Sequence, residues 1–275
     1  MVESPRKSDA TNREKPIPIF LDKIKAKIIE TKSGKLFTSK ANQRNLSVNL
    51  DKVFKCSSFA ELMKFIGDPL EIAEEREITL VINGKTYRLA CTPKMLKELA
   101  IGFTISEGLA KNVEGLKVEV SGNVVVVETD KEIGTSGCVA KGFEGRIESK
   151  VKFRVDELRK FLGLLDIEEY KRTRGYHVAL IVERDRFFRA YDVGRHNAVD
   201  KAIGIALLNG ANLSESFLLL SGRISLGIAT KCLNAGIPLV VSKAAIFDSA
   251  IEFCERTGLS AVSFATNVAV GNAIE

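Results

Sequence analysis

Two short runs concentrate residue types that bind anions. Asp192-Val193-Gly194-Arg195-His196-Asn197 and Ser221-Gly222-Arg223-Ile224-Ser225 each combine glycine, arginine and a polar side chain where an apolar strand pattern gives way to a helical one. A guanidinium fork beside the free N–H groups of a helix start suits phosphate oxygens. Lys243 and Thr266-Asn267 fall at two further junctions of this kind. Arg195, Arg223 and Lys243 thus point toward one pocket for a nucleotide or other phosphorylated ligand. Taken singly, each residue also has an architectural reading: Arg195 as a partner of Asp192 or Asp200, Ser221 as a helix cap, Gly222 as the enabler of a tight turn.

The candidate nucleophile is Cys138. It lies in IGTSGCVAKGFEGR, residues 133–146, a stretch with four glycines and no apolar period. Thiolates attack and thiols do not, and Lys141 and Arg146 supply the positive charge that draws a thiol below its usual pKa of ~8.5. Cys91, Cys232 and Cys254 fall in strand or helix patterns and read as small buried hydrophobes. Cys56, beside Ser57 and Ser58, stays open between the two readings. His196 fits a ligand or acid-base contact and a backbone-bonded helix entrance equally well, and His177, in an alternating strand, reads as structural. No His-x-Glu precedes a Pro-Cys-x-x-Cys, so a deaminase zinc lacks its ligands and no metal site is expected.

The elements that must position these residues fall into two sets. ITLVI and KTYRLAC flank Asn83-Gly84, a type I′ hairpin signal. A helix follows, with Thr92 as cap, Pro93 in its first turn, Leu96, Leu99, Ala100, Phe103 and Ile105 as its buried stripe, and Gly108 near its end. A second hairpin, KVEVS and VVVVE, turns at Gly122-Asn123. These make a smaller α+β domain, residues 21–132, after a polar, flexible tail at 1–20. The glycine-rich segment 133–149 is a loop and linker. From residue 150 to 275 strand and helix alternate: FLLL, a helix closed by Gly236, IPLVV, a helix closed by Gly258, then LSAVSFA. Continuous apolar strands separated by helices predict a layered α/β sheet with parallel pairing. YHVALIVERDRFFRAYD adds an antiparallel pair, and Asn197 is placed to cap the helix AVDKAIGIALLN.

Composition bounds the function. The 275 residues are 45% hydrophobic and 28% charged, enough apolar surface for a real core. Lys and Arg exceed Asp and Glu by 41 to 35, a net +6 compatible with an anionic partner but too diluted for nucleic acid. Five widely spaced cysteines, an odd number, argue for a reducing, cytoplasmic setting. No apolar run reaches the ~18 residues of a membrane span, and the amino terminus lacks an apolar signal core, so neither secretion nor a membrane is expected.

The Asp192-to-Lys201 run, the Ser221-to-Ser225 loop, and Thr92-Pro93 through Gly102-Phe103 to Ser106-Glu107-Gly108 resemble the FdhD family of formate dehydrogenase accessory proteins, over roughly Glu77 to Phe264. The resemblance implies a cytidine-deaminase-like carboxyl-terminal domain without the deaminase zinc, a smaller amino-terminal domain and a cytoplasmic homodimer. It also implies a sulfurtransferase. Sulfur from a cysteine desulfurase is held as a cysteine persulfide and passed to the molybdenum cofactor, in its bis-molybdopterin guanine dinucleotide form, for formate dehydrogenase or a related molybdoenzyme. Cys138 stands at the first cysteine of the family's Cys-x-x-Cys loop. Guanine-nucleotide contacts fall on Asp192, Gly194, Arg195, His196, Asn197, Ser221, Gly222 and Arg223, and on Phe264, Ala265, Thr266, Asn267, Val268 and Ala269, with Lys141, His177 and Lys243 in support.

The chain reads as a divergent member. Lys141 stands at the second loop cysteine, Tyr191 and Gly227 at two acidic positions, and Thr266 at an arginine; Ala244-Ala245-Ile246-Phe247 replaces Ser-Ala-Pro-Thr. A single cysteine can carry a persulfide but cannot close an intraloop disulfide. A second reading is therefore a non-catalytic chaperone that binds guanine nucleotide or molybdenum cofactor.

Overall fold

The computed structural model describes residues 66–129 and 146–275, which belong to one compact unit. The expected tail at 1–20, Cys56, Cys138 and Lys141 lie outside the described residues.

A four-stranded sheet comes first, in the order β2-β1-β4-β3. Strands β1 (Arg76–Ile82) and β2 (Lys85–Cys91) pair antiparallel around Asn83 and Gly84, whose φ values of 40° and 80° are those of a type I′ turn. Strands β3 (Lys117–Ser121) and β4 (Val124–Glu128) form the second hairpin, and β4 runs parallel to β1. Helix α1 (Leu96–Ser106) makes the crossover and buries Leu99, Ala100 and Phe103 against Ile78, Leu80, Val125 and Val127.

Thr92 does not cap this helix. The helix starts at Leu96, after Met95 in a left-handed conformation at φ 54°, with no side-chain cap. Pro93 disfavours helical geometry at the residue before it. Thr92 is instead buried, its backbone N–H donating to Asp192 and its hydroxyl accepting from Val193 N.

The second sheet has six strands in the order β10-β9-β8-β7-β5-β6. Strands β5 (His177–Glu183) and β6 (Arg186–Asp192) are an antiparallel hairpin, and β5 also pairs antiparallel with β7 (Phe217–Leu220). Strands β7, β8 (Leu239–Ser242) and β9 (Ser260–Ser263) run parallel and are buried throughout, as their uninterrupted apolar runs require. β5 is likewise covered on both faces after His177, so it is not the alternating strand its flanks suggested. A short edge strand, β10 (Val268–Val270), turns back antiparallel to β9.

Helices α4 (Arg195–Leu208), α5 (Leu226–Asn234) and α6 (Asp248–Thr257) cover one face. Short helix α2 (Val155–Lys160) and a 3₁₀ turn at Phe161–Leu165 cover the other, followed by α3 (Glu168–Thr173). Asn197 does not cap α4. The helix begins two residues earlier, after Gly194, and the Asn197 amide donates to Ala90 O and Asp192 Oδ1.

The two sheets are joined through α1 and α4, whose backbones touch. A methyl built on Gly102 would lie 1.7 Å from Asp200 O, and one on Gly204 would lie 1.9 Å from Glu98 O. Lys231 of α5 reinforces the joint by donating to both oxygens of buried Asp200 and to Glu107 and Ser106 at the end of α1. Burial works against that ammonium, but Asp200 and Glu107 outweigh it and hold the Lys231 pKa above its ordinary value.

Candidate functional site

Three parallel strands end in serines, and these build the floor of the site. Ser221 Oγ, after β7, accepts from Val178 N at 2.9 Å. Ser242 Oγ, ending β8, donates to Gly222 O at 2.6 Å and accepts from Ala244 N at 2.9 Å. Ser263 Oγ, ending β9, donates to Ala244 O at 2.7 Å, and Thr266 bonds to it in turn. Each loop is thereby fastened to its neighbour. Above this floor opens a cleft of about 720 Å³, lined by His177, Ser221, Lys243 and Ala244 from the sheet and its loops and by Tyr170 and Tyr176 from the segment before β5. Its place outside the carboxyl ends of the parallel strands is where α/β sheets bind ligands.

Next to the cleft sits a cluster of positive groups. A methyl on Gly222 would lie 3.2 Å from Arg195 Cβ and 3.3 Å from His177 Nδ1, so the missing side chain lets the Arg195 stem and the His177 ring close on the same backbone. Arg195 Nε is buried and has no hydrogen-bond partner. Burial and then Arg223 lower the Arg195 pKa. Arg223 itself is exposed, with its guanidinium 5.6 Å from the Phe247 ring centroid. His177 is held below its usual pKa by burial, then by Arg195 and Arg223. His196 is pushed down to about 4 by burial, then Arg195 and Lys231, and its Nε2 lies 3.1 Å from where a Gly227 methyl would be. Like charges held together without counter-ions cost stability, and an arriving anion relieves that cost.

Asp192 does not supply the counter-ion. Its carboxylate is fully buried; Oδ1 accepts from Gly194 N at 2.8 Å and from Asn197, and Oδ2 from Thr92 N at 3.0 Å and from Lys201 Nζ. Lys201, equally buried, also donates to Thr92 O. Asp192 and Asn197 therefore hold the Gly194-Arg195 turn in place and bind it to β2. The alternative partners considered for Arg195 are also excluded, since Asp192 belongs to Lys201 and Asp200 to Lys231.

The structure thus brings His177, Ser221 and Lys243 onto one cleft, with Arg195, Gly222 and Arg223 adjoining. Phe264 to Ala269 forms the β9-to-β10 turn. Ala265, Thr266 and Asn267 are exposed there, Val268 and Ala269 begin β10, and Phe264 packs under Arg159 at 4.6 Å. Thr266 reaches the cleft wall only through Ser263 and Ala244. Sequence reasoning missed Tyr170, Tyr176, Asp166 and Arg174, which also line the cleft. Their sole signal is the basic and aromatic run YKRTRGY, which has no motif spacing. Cys91, Cys232 and Cys254 are sealed in the core, where burial raises Cys91 to about 11, Cys254 to about 12 and Cys232 higher still. None is available as a nucleophile.

Fold and site define an α/β protein with a cleft and a positive cluster at its strand ends, and with a small α+β sheet fastened to it. The chain belongs to the FdhD/NarQ family, whose model matches residues 73–271. It is 31% identical to the Sulfur carrier protein FdhD of Methanothermobacter thermautotrophicus over 215 residues, covering 71% of this chain and 86% of that one. It is 33% identical to the Sulfur carrier protein FdhD of Shouchella clausii, over 74% of this chain and 86% of the relative. In fold it matches the crystal structure of a candidate formate dehydrogenase accessory protein from Desulfotalea psychrophila, with a TM-score of 0.62 at 24% identity, over 71% of this chain and 85% of that one.

Proposed function

We propose that this protein is a sulfur carrier for formate dehydrogenase maturation, with Cys138 as the persulfide-bearing residue and the cationic cleft as the seat of its cargo. The observation that carries the reading is Arg195, whose buried Nε has no hydrogen-bond partner, set with Arg223 beside a cleft that Lys243 lines, at the loops where the cargo's guanine dinucleotide has phosphates to offer. The names of the relatives supply the sulfur chemistry. The burial of Cys91, Cys232 and Cys254 removes three of the five thiols from contention.

In the loading step the Cys138 thiolate attacks the outer sulfur of a desulfurase persulfide. One S–S bond forms, one breaks, and the desulfurase thiolate leaves with no net redox change. The molybdenum cofactor is then the substrate that receives the sulfur, with Arg195, Arg223 and Lys243 binding its phosphates and Phe264 to Ala269 bordering the guanine side. Delivery at the sulfide level needs two electrons. With Lys141 at the second cysteine position, an external thiol supplies them by forming a mixed disulfide with Cys138. We further infer a cytoplasmic homodimer built on a cytidine-deaminase-like sheet. The layered parallel strands support that scaffold, and among the described residues no helix is long and apolar enough to cross a membrane.

The test is intact mass after incubation with a cysteine desulfurase and cysteine. A gain of one sulfur atom that disappears in Cys138→Ala is expected, and an unmodified wild-type chain refutes the carrier. The second reading, a cofactor-binding chaperone without sulfur transfer, draws on Lys141 and on the bare Gly227 beside His196. Guanine-nucleotide binding that Arg195→Ala and Arg223→Ala weaken, in a chain that never loads sulfur, would establish it instead.

A further inference from the structure

His177 lies where the two halves of the site meet. Its ring forms part of the cleft wall beside Ser221 and Lys243, and through Gly222 it sits one backbone's width from the Arg195 stem. Among the described residues neither of its ring nitrogens takes part in a hydrogen bond or an ion pair.

The charges around this ring are unbalanced. Arg195 acts on it from α4 and Arg223 from the loop after β7, while Lys243, on the loop after β8, shares the cleft wall and His196, held neutral, adds no charge from α4. Asp192, its register partner on β6, is the adjacent carboxylate, but both of its oxygens are taken. Asp166, Tyr170, Arg174 and Tyr176 also line the cleft, and Arg174 stacks on Tyr170. Burial, Arg195 and Arg223 keep the ring neutral near pH 7 as long as no anion balances the guanidinium groups.

We propose that His177 is a proton-linked contact of the anion site: a phosphate bound among Arg195, Arg223 and Lys243 is met by His177 as an imidazolium, so that binding takes up one proton from solvent. The inference rests on the anion-binding reading above and adds a residue and a pH response to it. The step is a proton equilibrium. A neutral ring nitrogen accepts the proton, the resulting N–H donates to a phosphate oxygen, and no other bond changes. Once the anion offsets the guanidinium field, the term that kept the ring neutral is cancelled. Affinity then rises as pH falls from the liganded His177 midpoint to the free one, and is flat outside that window.

The chain holds two histidines, so its proton spectrum contains two imidazole Hε1 resonances, which His177→Gln tells apart. Each is titrated between about pH 5 and pH 8, without ligand, with saturating GDP and with inorganic pyrophosphate. The expected result is a His177 midpoint raised by about one pH unit with GDP. Calorimetry in buffers of different ionisation enthalpy should show proton uptake that His177→Gln reduces, while that variant still binds at about pH 8. GDP bound with the His177 midpoint unmoved overturns the inference and leaves the anion site intact. Pyrophosphate raising the midpoint while GDP fails to bind supports the proton linkage and removes the guanine reading. If neither anion binds the wild-type chain, both fall.

Discussion

Gly204 of α4 lies so close beneath Glu98 of α1 that a single methyl group on it would meet the Glu98 carbonyl at 1.9 Å. Backbone faces backbone there, and no flexible side chain can give way. Gly204→Ala should cost about 3 kcal/mol, the upper end for overpacking a close-fitted core, seen as a lower urea midpoint at unchanged slope. Gly84→Ala bears on the opposite case, since nothing lies within 4 Å and only its φ of 80° resists the change.

The Lys201–Asp192 pair has both partners fully buried. Lys201→Met strands a carboxylate in the core and should destabilise by about 3–5 kcal/mol, while pairing it with Asp192→Asn should recover part of that loss. Equilibrium denaturation of the single and double variants measures it. Recovery of stability without recovery of nucleotide binding would show that Asp192 also sets the Gly194-Arg195 turn.

Both histidines are held below their ordinary pKa in the fold, His196 at about 4. The unfolded chain takes up these protons at about 6.5, so the native state binds fewer protons between the two values. The contribution of the neutral histidines is complete above about pH 6.5 and is lost as pH falls toward the folded values. Urea midpoints measured from pH 7 downward should decline in that window, and more gently in His196→Gln.

The positive cluster sets binding against stability. Arg223→Ala removes repulsion on Arg195 and should raise the melting temperature slightly, by the equivalent of about 0.5 kcal/mol, while Arg195→Ala weakens guanine-nucleotide binding about tenfold. Raising salt should shrink both effects, because the interacting charges are screened. Thermal melts and nucleotide titrations at two ionic strengths decide it.

Burial separates the thiols. In the native chain Cys91, Cys232 and Cys254 should resist a maleimide, and all five cysteines should react once the chain is unfolded in denaturant. Peptide mapping after labelling reads the difference directly.

Both hairpins and the parallel strands were legible because their signals are local: Asn83-Gly84 defines a turn by itself, and FLLL or LVVS can only be a strand buried on both faces. The helix starts were not. Thr92 and Asn197 have the chemistry of caps, but the Thr92 hydroxyl accepts from Val193 N and the Asn197 amide donates to Ala90 O, both distant in the chain, and no local rule anticipates that competition. The anion site was half legible. Its arginines and glycines sit in recognisable loops, whereas Tyr170 and Tyr176 reach the cleft through a segment whose pattern is that of an ordinary polar surface. For His177 the strand pattern alone gives a structural side chain and only the family resemblance gives a supporting one, because folding is what brings Arg195 and Arg223 to it.

The serines that close three successive strands stitch their loops edge to edge, from Ser221 through Ser242 to Ser263. A ligand drawing on any one of these loops loads the others too. The floor is a single plate rather than separate fingers, and a substitution in the outermost seam at Ser263 loosens the Ala244 loop that Ser242 ties in turn to Gly222, two strands away.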